Sequence, residues 1–173
     1  MKGASDMENS IEQVAAAMIA YDAGDPRRIH HFLKVHAFAR LIGLGEGLDP
    51  DTQFLLEIAA LVHDIGIHKA EAVYGSSGGK YQEELGPAEA ESLLTPLGLP
   101  RQVIERVMYL VGHHHTYSNI DGADYQALVE ADFLVNLHED HASSSARKQA
   151  YEAIFRTETG KQLCRQLFPE VLM

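Results

Sequence analysis

Residues 54–66, Phe54-Leu55-Leu56-Glu57-Ile58-Ala59-Ala60-Leu61-Val62-His63-Asp64-Ile65-Gly66, set an adjacent histidine and aspartate into an apolar run. Phe54, Leu55, Ile58, Ala59, Leu61, Val62 and Ile65 recur at helical spacing, so the stretch from Phe54 to Ile65 reads as a helix with a wide apolar face. A helix turns about 100° per residue, and neighbouring side chains can therefore converge on one ion. Two ionisable groups buried in this way are costly unless something compensates them. A divalent cation does so, because imidazole nitrogen and carboxylate oxygen are both ordinary ligands of first-row metals. The stretch predicts a metal centre inside a helical protein.

The flanking sequence continues the helical pattern. Ser10-Ile11-Glu12-Gln13 has capping-box spacing, followed by Val14, Ala15, Met18 and Ile19 at helical period. Gly24-Asp25-Pro26 closes that helix, and a second is expected from about Arg28 to Ile42 on the Phe32, Val35, Ala39 and Ile42 stripe. Gly43 to Pro50 reads as a turn in which Asp49 caps and Pro50 starts the next helix. The third helix is expected to carry His63 and Asp64 and stop near Gly66. Tyr74 to Gly79 (Tyr-Gly-Ser-Ser-Gly-Gly) reads as a mobile loop close enough to Asp64 to cover the site, and its spacing matches no P-loop. Further helices are expected at Pro87–Leu94, from Pro100 to Gly112, and at Tyr125–His138. Residues 145–168 read as two short helices broken near Thr159-Gly160, with Leu163, Leu167 and Phe168 packing on the core. No segment alternates with period two, so the expectation is all-α and one domain spanning 1–173.

The chain has 173 residues, enough to bury a core without disulfides, and its 46% hydrophobic share is ordinary for a globular protein. Its 25 Asp+Glu outnumber 14 Lys+Arg for a formal charge of −11. That sign opposes a broad nucleic-acid surface or an anionic membrane, while a small anionic substrate stays open because a bound cation reverses the local potential. Cys164 is the single cysteine. With no apolar leader after Met1 and no run long enough to span a bilayer, the expected location is cytoplasmic.

Three other places present histidine or aspartate on an inner helical face. His31 lies one turn before Val35, Asp132 one turn after Leu128, and His113-His114-His115 follow the Ile104, Val107, Met108, Val111 stripe. Each alone has a plainer reading: a hydrogen-bonded core histidine, a solvated aspartate, or imidazoles at a helix C-terminus. His36, His68, His138 and His141 read as surface or supporting residues.

Together, the order His31, His63-Asp64, a Gly-His-His-His-Thr segment and Asp132 resembles the HD-domain superfamily of metal-dependent phosphohydrolases, over about residues 28 to 140. The resemblance implies an HD-type helical bundle with His31, His63, Asp64 and Asp132 holding one divalent ion (manganese, iron, cobalt, nickel, zinc or magnesium). Members with two ions place a further histidine just before a glycine after the loop. Here that place is Leu85-Gly86, so one ion is expected, although a carboxylate or the His113–His115 cluster could substitute. The implied activity is hydrolysis of a phosphate ester or anhydride of a nucleotide or other small phosphorylated metabolite by metal-activated water. Asp64 would orient that water or take its proton. His114, with His113 or His115, would protonate the leaving oxygen or bind a phosphate oxygen. Lys69 is the first candidate for a phosphate-binding cation, then Lys34, with Arg27 and Arg28 also in reach. Alternatives are a non-catalytic ligand-binding or signalling module on the same scaffold and, less favoured, a di-iron oxygenase. The chain is expected as a monomer or homodimer.

Overall fold

A computed structural model describes residues 4–172, and among them there are nine α-helices and no strand. In chain order these are α1 (Ala4–Tyr21), α2 (Pro26–Gly45), α3 (Pro50–Val62), α4 (Ile67–Tyr74), α5 (Gly79–Leu94), α6 (Arg101–Val111), α7 (Ala123–Glu139), α8 (Ser144–Ile154) and α9 (Glu158–Leu167). Two short 3₁₀ turns follow α5 and α9. The all-α bundle expected from the sequence is the fold observed among these residues.

The opening stretch forms the axis of the bundle. In α3, Leu56, Ile58, Ala59, Ala60, Leu61 and Val62 are all fully buried. A helix apolar on every side must be surrounded, and α1, α2, α6 and α7 pack around this one. Its start follows the expected cap: Asp49 accepts from Asp51 N and Thr52 N, and Pro50 occupies the first turn. The second helix starts in the same way, with Asp25 accepting from Arg28 N ahead of Pro26.

Several expected boundaries moved. Ser10 does not cap a helix; α1 begins at Ala4, and the Ser10 hydroxyl donates back to Asp6 O at 2.8 Å. The helix α3 ends at Val62, so His63 and Asp64 sit in the tight turn that leads into α4, a helix the periodicity did not reveal. The expected glycine-rich loop shrinks to residues 75–78, because α5 starts at Gly79 and carries Pro87 inside it. Gly66 explains the close approach of α5 to the turn: a Cβ there would lie 2.8 Å from Gln82 O and 2.9 Å from Gly86 Cα. The C-terminal break falls at Phe155–Thr157. Thr157 caps α9 by accepting from Gly160 N, and Gly160 lies within the helix. Phe168 is buried as expected and Leu163 packs against the core, but Leu167 is exposed.

Candidate metal centre

Three elements bring the expected ligands together. His31 comes from the second turn of α2, His63 and Asp64 from the turn after α3, and Asp132 from the middle of α7. His31 Nε2 lies 3.3 Å from His63 Nε2, 3.3 Å from Asp64 Oδ2 and 3.2 Å from Asp132 Oδ1. His63 Nε2 lies 3.5 Å from Asp64 Oδ2 and 3.4 Å from Asp132 Oδ1. Spacings of this size suit ligand atoms around one ion at roughly 2.0–2.2 Å.

The hydrogen bonds fix which ring nitrogen faces inward. His63 Nδ1 donates to Ala60 O at 2.8 Å, and His31 Nδ1 donates to Glu139 Oε2 at 2.8 Å. His114 follows the same rule, with Nδ1 donating to Val111 O at 2.8 Å while Nε2 stands 3.3 Å from Asp64 Oδ1. With each proton committed outward, three Nε2 lone pairs point at two carboxylates, and acceptors confront acceptors. Only a cation or added protons can reconcile them.

Without an ion, protons fill that role. Burial alone would push the His63 imidazole down, but the charges of Asp64 and Asp132 outweigh it and lift it to about 9. His31 is raised for the same reason, its bond to Asp132 contributing most against burial. Burial would raise both carboxyls, yet the facing imidazoles hold Asp64 and Asp132 well below the usual carboxylate range.

Asp64 is the open member of the set. Its side chain keeps 23% of its exposure, against 10% for His31, 5% for Asp132 and none for His63. It faces a cavity of about 420 Å³ that is also lined by Arg28, Gln82, His115 and Glu139. On the cavity side, Asp64, His114 and His115 place one ligand atom each within 4.8 Å of one another, as do His31, His63 and Asp64. The two groups share Asp64. Burial, and then the charge of His114, push His115 down to about 4, so its imidazole is neutral, and its Nε2 is buried without a partner.

Other expected residues take different places. His113 turns away: its Nδ1 donates to Tyr109 O at 2.7 Å and its ring stacks on Tyr109 at 4.1 Å. Lys69 is exposed on α4 and is not among the residues lining the cavity. Lys34 is paired with Glu139. The cation set into the cavity wall is Arg28, with Arg27 beside it. Arg28 is held by Asp25 at 2.9 Å, Glu71 at 2.6 Å and His68 Nδ1 at 3.2 Å, and His68 Nε2 donates in turn to buried Asp22 at 3.0 Å. Where the resemblance expects a histidine stands Leu85, and the following Gly86 is a packing residue whose Cβ would meet Val111 Cγ1 at 2.6 Å. Nearby Glu83 accepts from His115 N and Thr116 Oγ1, both at 3.0 Å, and so fixes the histidine segment.

Glu139 is the functional residue that sequence reasoning missed. It sits seven residues after Asp132, two helical turns along the same face of α7, and accepts from the back of His31. That heptad spacing was the available signal, but a glutamate at a helix end reads as solvated. Gln82 was missed as well: its Nε2 donates to Ser77 O at 2.7 Å and holds the 75–78 link against the cavity.

A family model described as HD domain matches residues 28–155. The crystal structure of a predicted HD superfamily hydrolase from an uncultured Thermotogales bacterium matches with a TM-score of 0.62 and 27% identity, covering 95% of this chain and 86% of that chain. No curated protein matches the sequence.

Proposed function

The chain belongs to the HD-domain family, and from that membership and the donor set we propose that it is a metal-dependent hydrolase of a phosphate ester or anhydride in a nucleotide or other small phosphorylated metabolite. One observation carries the reading: every inward atom of His31, His63, Asp64 and Asp132 is an acceptor, in a pocket open to solvent through Asp64. These four residues would hold the ion. When bound there, a divalent cation polarises a phosphoryl oxygen and lowers the pKa of a water molecule.

The side chains divide the remaining work. Asp64 turns one oxygen toward His31 and His63 and the other toward His114, so it can take a proton from an attacking water and pass it to His114 Nε2. His114, its Nδ1 anchored on Val111 O, can then deliver that proton to a leaving oxygen. Arg28 supplies fixed positive charge for a phosphate oxygen, and its three partners hold it in place before substrate arrives. Glu139 orients His31 from behind.

Elemental analysis of protein purified without added metal, followed by a phosphate-release screen, tests the reading. The expected result is a bound divalent ion and phosphate release that a chelator stops and added metal restores. Turnover that persists in metal-free Asp64→Ala protein would overturn it.

A further inference from the structure

A shallow surface depression, about 430 Å³ and wide open to solvent, adjoins the metal cavity on the far side of Glu139; Arg27 and Glu139 line both, and all its lining residues but Glu139 are exposed. Its other chemistry-bearing walls are His30, Lys34, His138 and His141. In a chain of net charge −11 this mouth gathers two permanent cations and three imidazoles around a single carboxylate. That carboxylate is already engaged, since Glu139 accepts from His31 on one oxygen and from Lys34 on the other.

The remaining groups are donors in waiting. The rings of His30, His138 and His141 make no hydrogen bond or ion pair among the described residues, and Arg27 has only a 4.0 Å approach to exposed Asp140. The histidines do not gather on a point as metal ligands would, because the groupings able to hold an ion lie around Asp64. They line a wall. His141 is also held at φ 51, a left-handed position after α7 where glycine is the cheaper residue, so a side chain is kept there at a conformational cost.

From this arrangement we propose that the depression is a second anion subsite beside the metal cavity, and that the substrate class is a small molecule carrying a phosphate at the metal centre and a second phosphate or carboxylate at the far end. The inference rests on the hydrolase reading for the first of those groups. Seven residues separate Arg27 from Lys34 on α2, about 10 Å along the helix axis. His31 lies between them and faces the metal side, while adjacent exposed His30 lines the open depression. A small molecule with an anion at each end can engage both sites, because the depression and the metal cavity share Arg27 and Glu139.

The test uses the full chain loaded with its divalent ion and three probes: glucose 6-phosphate, glucose 1,6-bisphosphate and 6-phosphogluconate. Dissociation constants come from calorimetry, and KM and kcat from phosphate release. The bisphosphate is expected to bind at least about tenfold more tightly than the monophosphate, the strength of a charge-assisted contact. His30→Ala/His141→Ala and Arg27→Ala should bring the two within about twofold. If 6-phosphogluconate matches the bisphosphate, the subsite takes any anion; if it matches the monophosphate, the subsite requires phosphate. Equal affinity for bisphosphate and monophosphate, or a preference that survives both variants, overturns the proposal. A preference lost in the variants without turnover of any probe keeps the subsite and counts against hydrolysis of these hexose phosphates. Turnover without preference does the reverse.

Discussion

Glu130 and Asp132 stand two residues apart on α7, both withdrawn from water, and they meet opposite surroundings. The carboxylate of Glu130 is ringed by donors: Arg156 N at 2.6 Å, Thr157 N at 2.9 Å, Thr157 Oγ1 at 2.5 Å and Gln126 Nε2 at 2.7 Å. It needs nothing more, and it pins the link between α8 and α9. Asp132 receives one amide bond, from Asn136 at 2.9 Å, and otherwise faces the lone pairs of His31 and His63. A buried charge satisfied by backbone donors is structural, whereas one surrounded by acceptors is built for a cation. Burial by itself does not separate the two.

Substitution should separate them most sharply. Asp132→Ala is expected to lose the bound ion and lower phosphate release by at least about 10³-fold, with the helical circular dichroism unchanged. Metal content and turnover measured on the same preparation check this. Glu130→Ala should do the opposite: about 3 kcal/mol of stability lost in denaturant titration, as several buried donors are orphaned, with metal content kept. If Glu130→Ala also emptied the centre, the division between the two carboxylates would fail.

Glu139→Gln touches the metal side from one residue further out. It should weaken metal affinity by about 10- to 100-fold, measured by competition with a chelating dye, because His31 loses a charged acceptor. The corresponding small change on the structural side is Gly160→Ala. Its Cβ would fall 1.8 Å from Glu130 Oε2, and the expected cost is about 2 kcal/mol with no effect on the metal.

The smallest effect is on pH dependence. In chelated protein His63 titrates near 9, above its unfolded value of about 6.5. The stability it contributes is therefore complete below about pH 6.5 and lost as the pH rises through about 9. Metal loading requires the neutral ring, so binding at pH 7 should release a proton, seen as a buffer-dependent binding heat. The melting temperatures of loaded and chelated protein should diverge by roughly 5 °C between pH 6.5 and 9. A constant gap would mean that His63 does not bear the proton.

His63 and Asp64 were legible in the sequence because ionisable residues interrupt an apolar run, and His31 because it shares the phase of Val35. Asp132 was legible through its order in the resemblance. The stop at Gly66 was also visible, but not its purpose, which is to let α5 touch the turn. The choice of Lys69 over Arg28 went astray because both are cations near the motif in sequence. Only packing puts Arg28 between Asp25, Glu71 and His68 at the cavity and leaves Lys69 on the outer face of α4.

Helical period, caps and residue type act over a few positions, and these local terms determined the all-α class, the cap at Asp49, and the candidate ligands. The tertiary structure decided what each face meets. Glu139 reaches His31 across 108 residues, and Glu130 closes on Thr157 rather than on an ion. The periodic pattern of a helix records that one side is buried, but the donors or acceptors waiting there come from other helices, whose positions no local pattern carries.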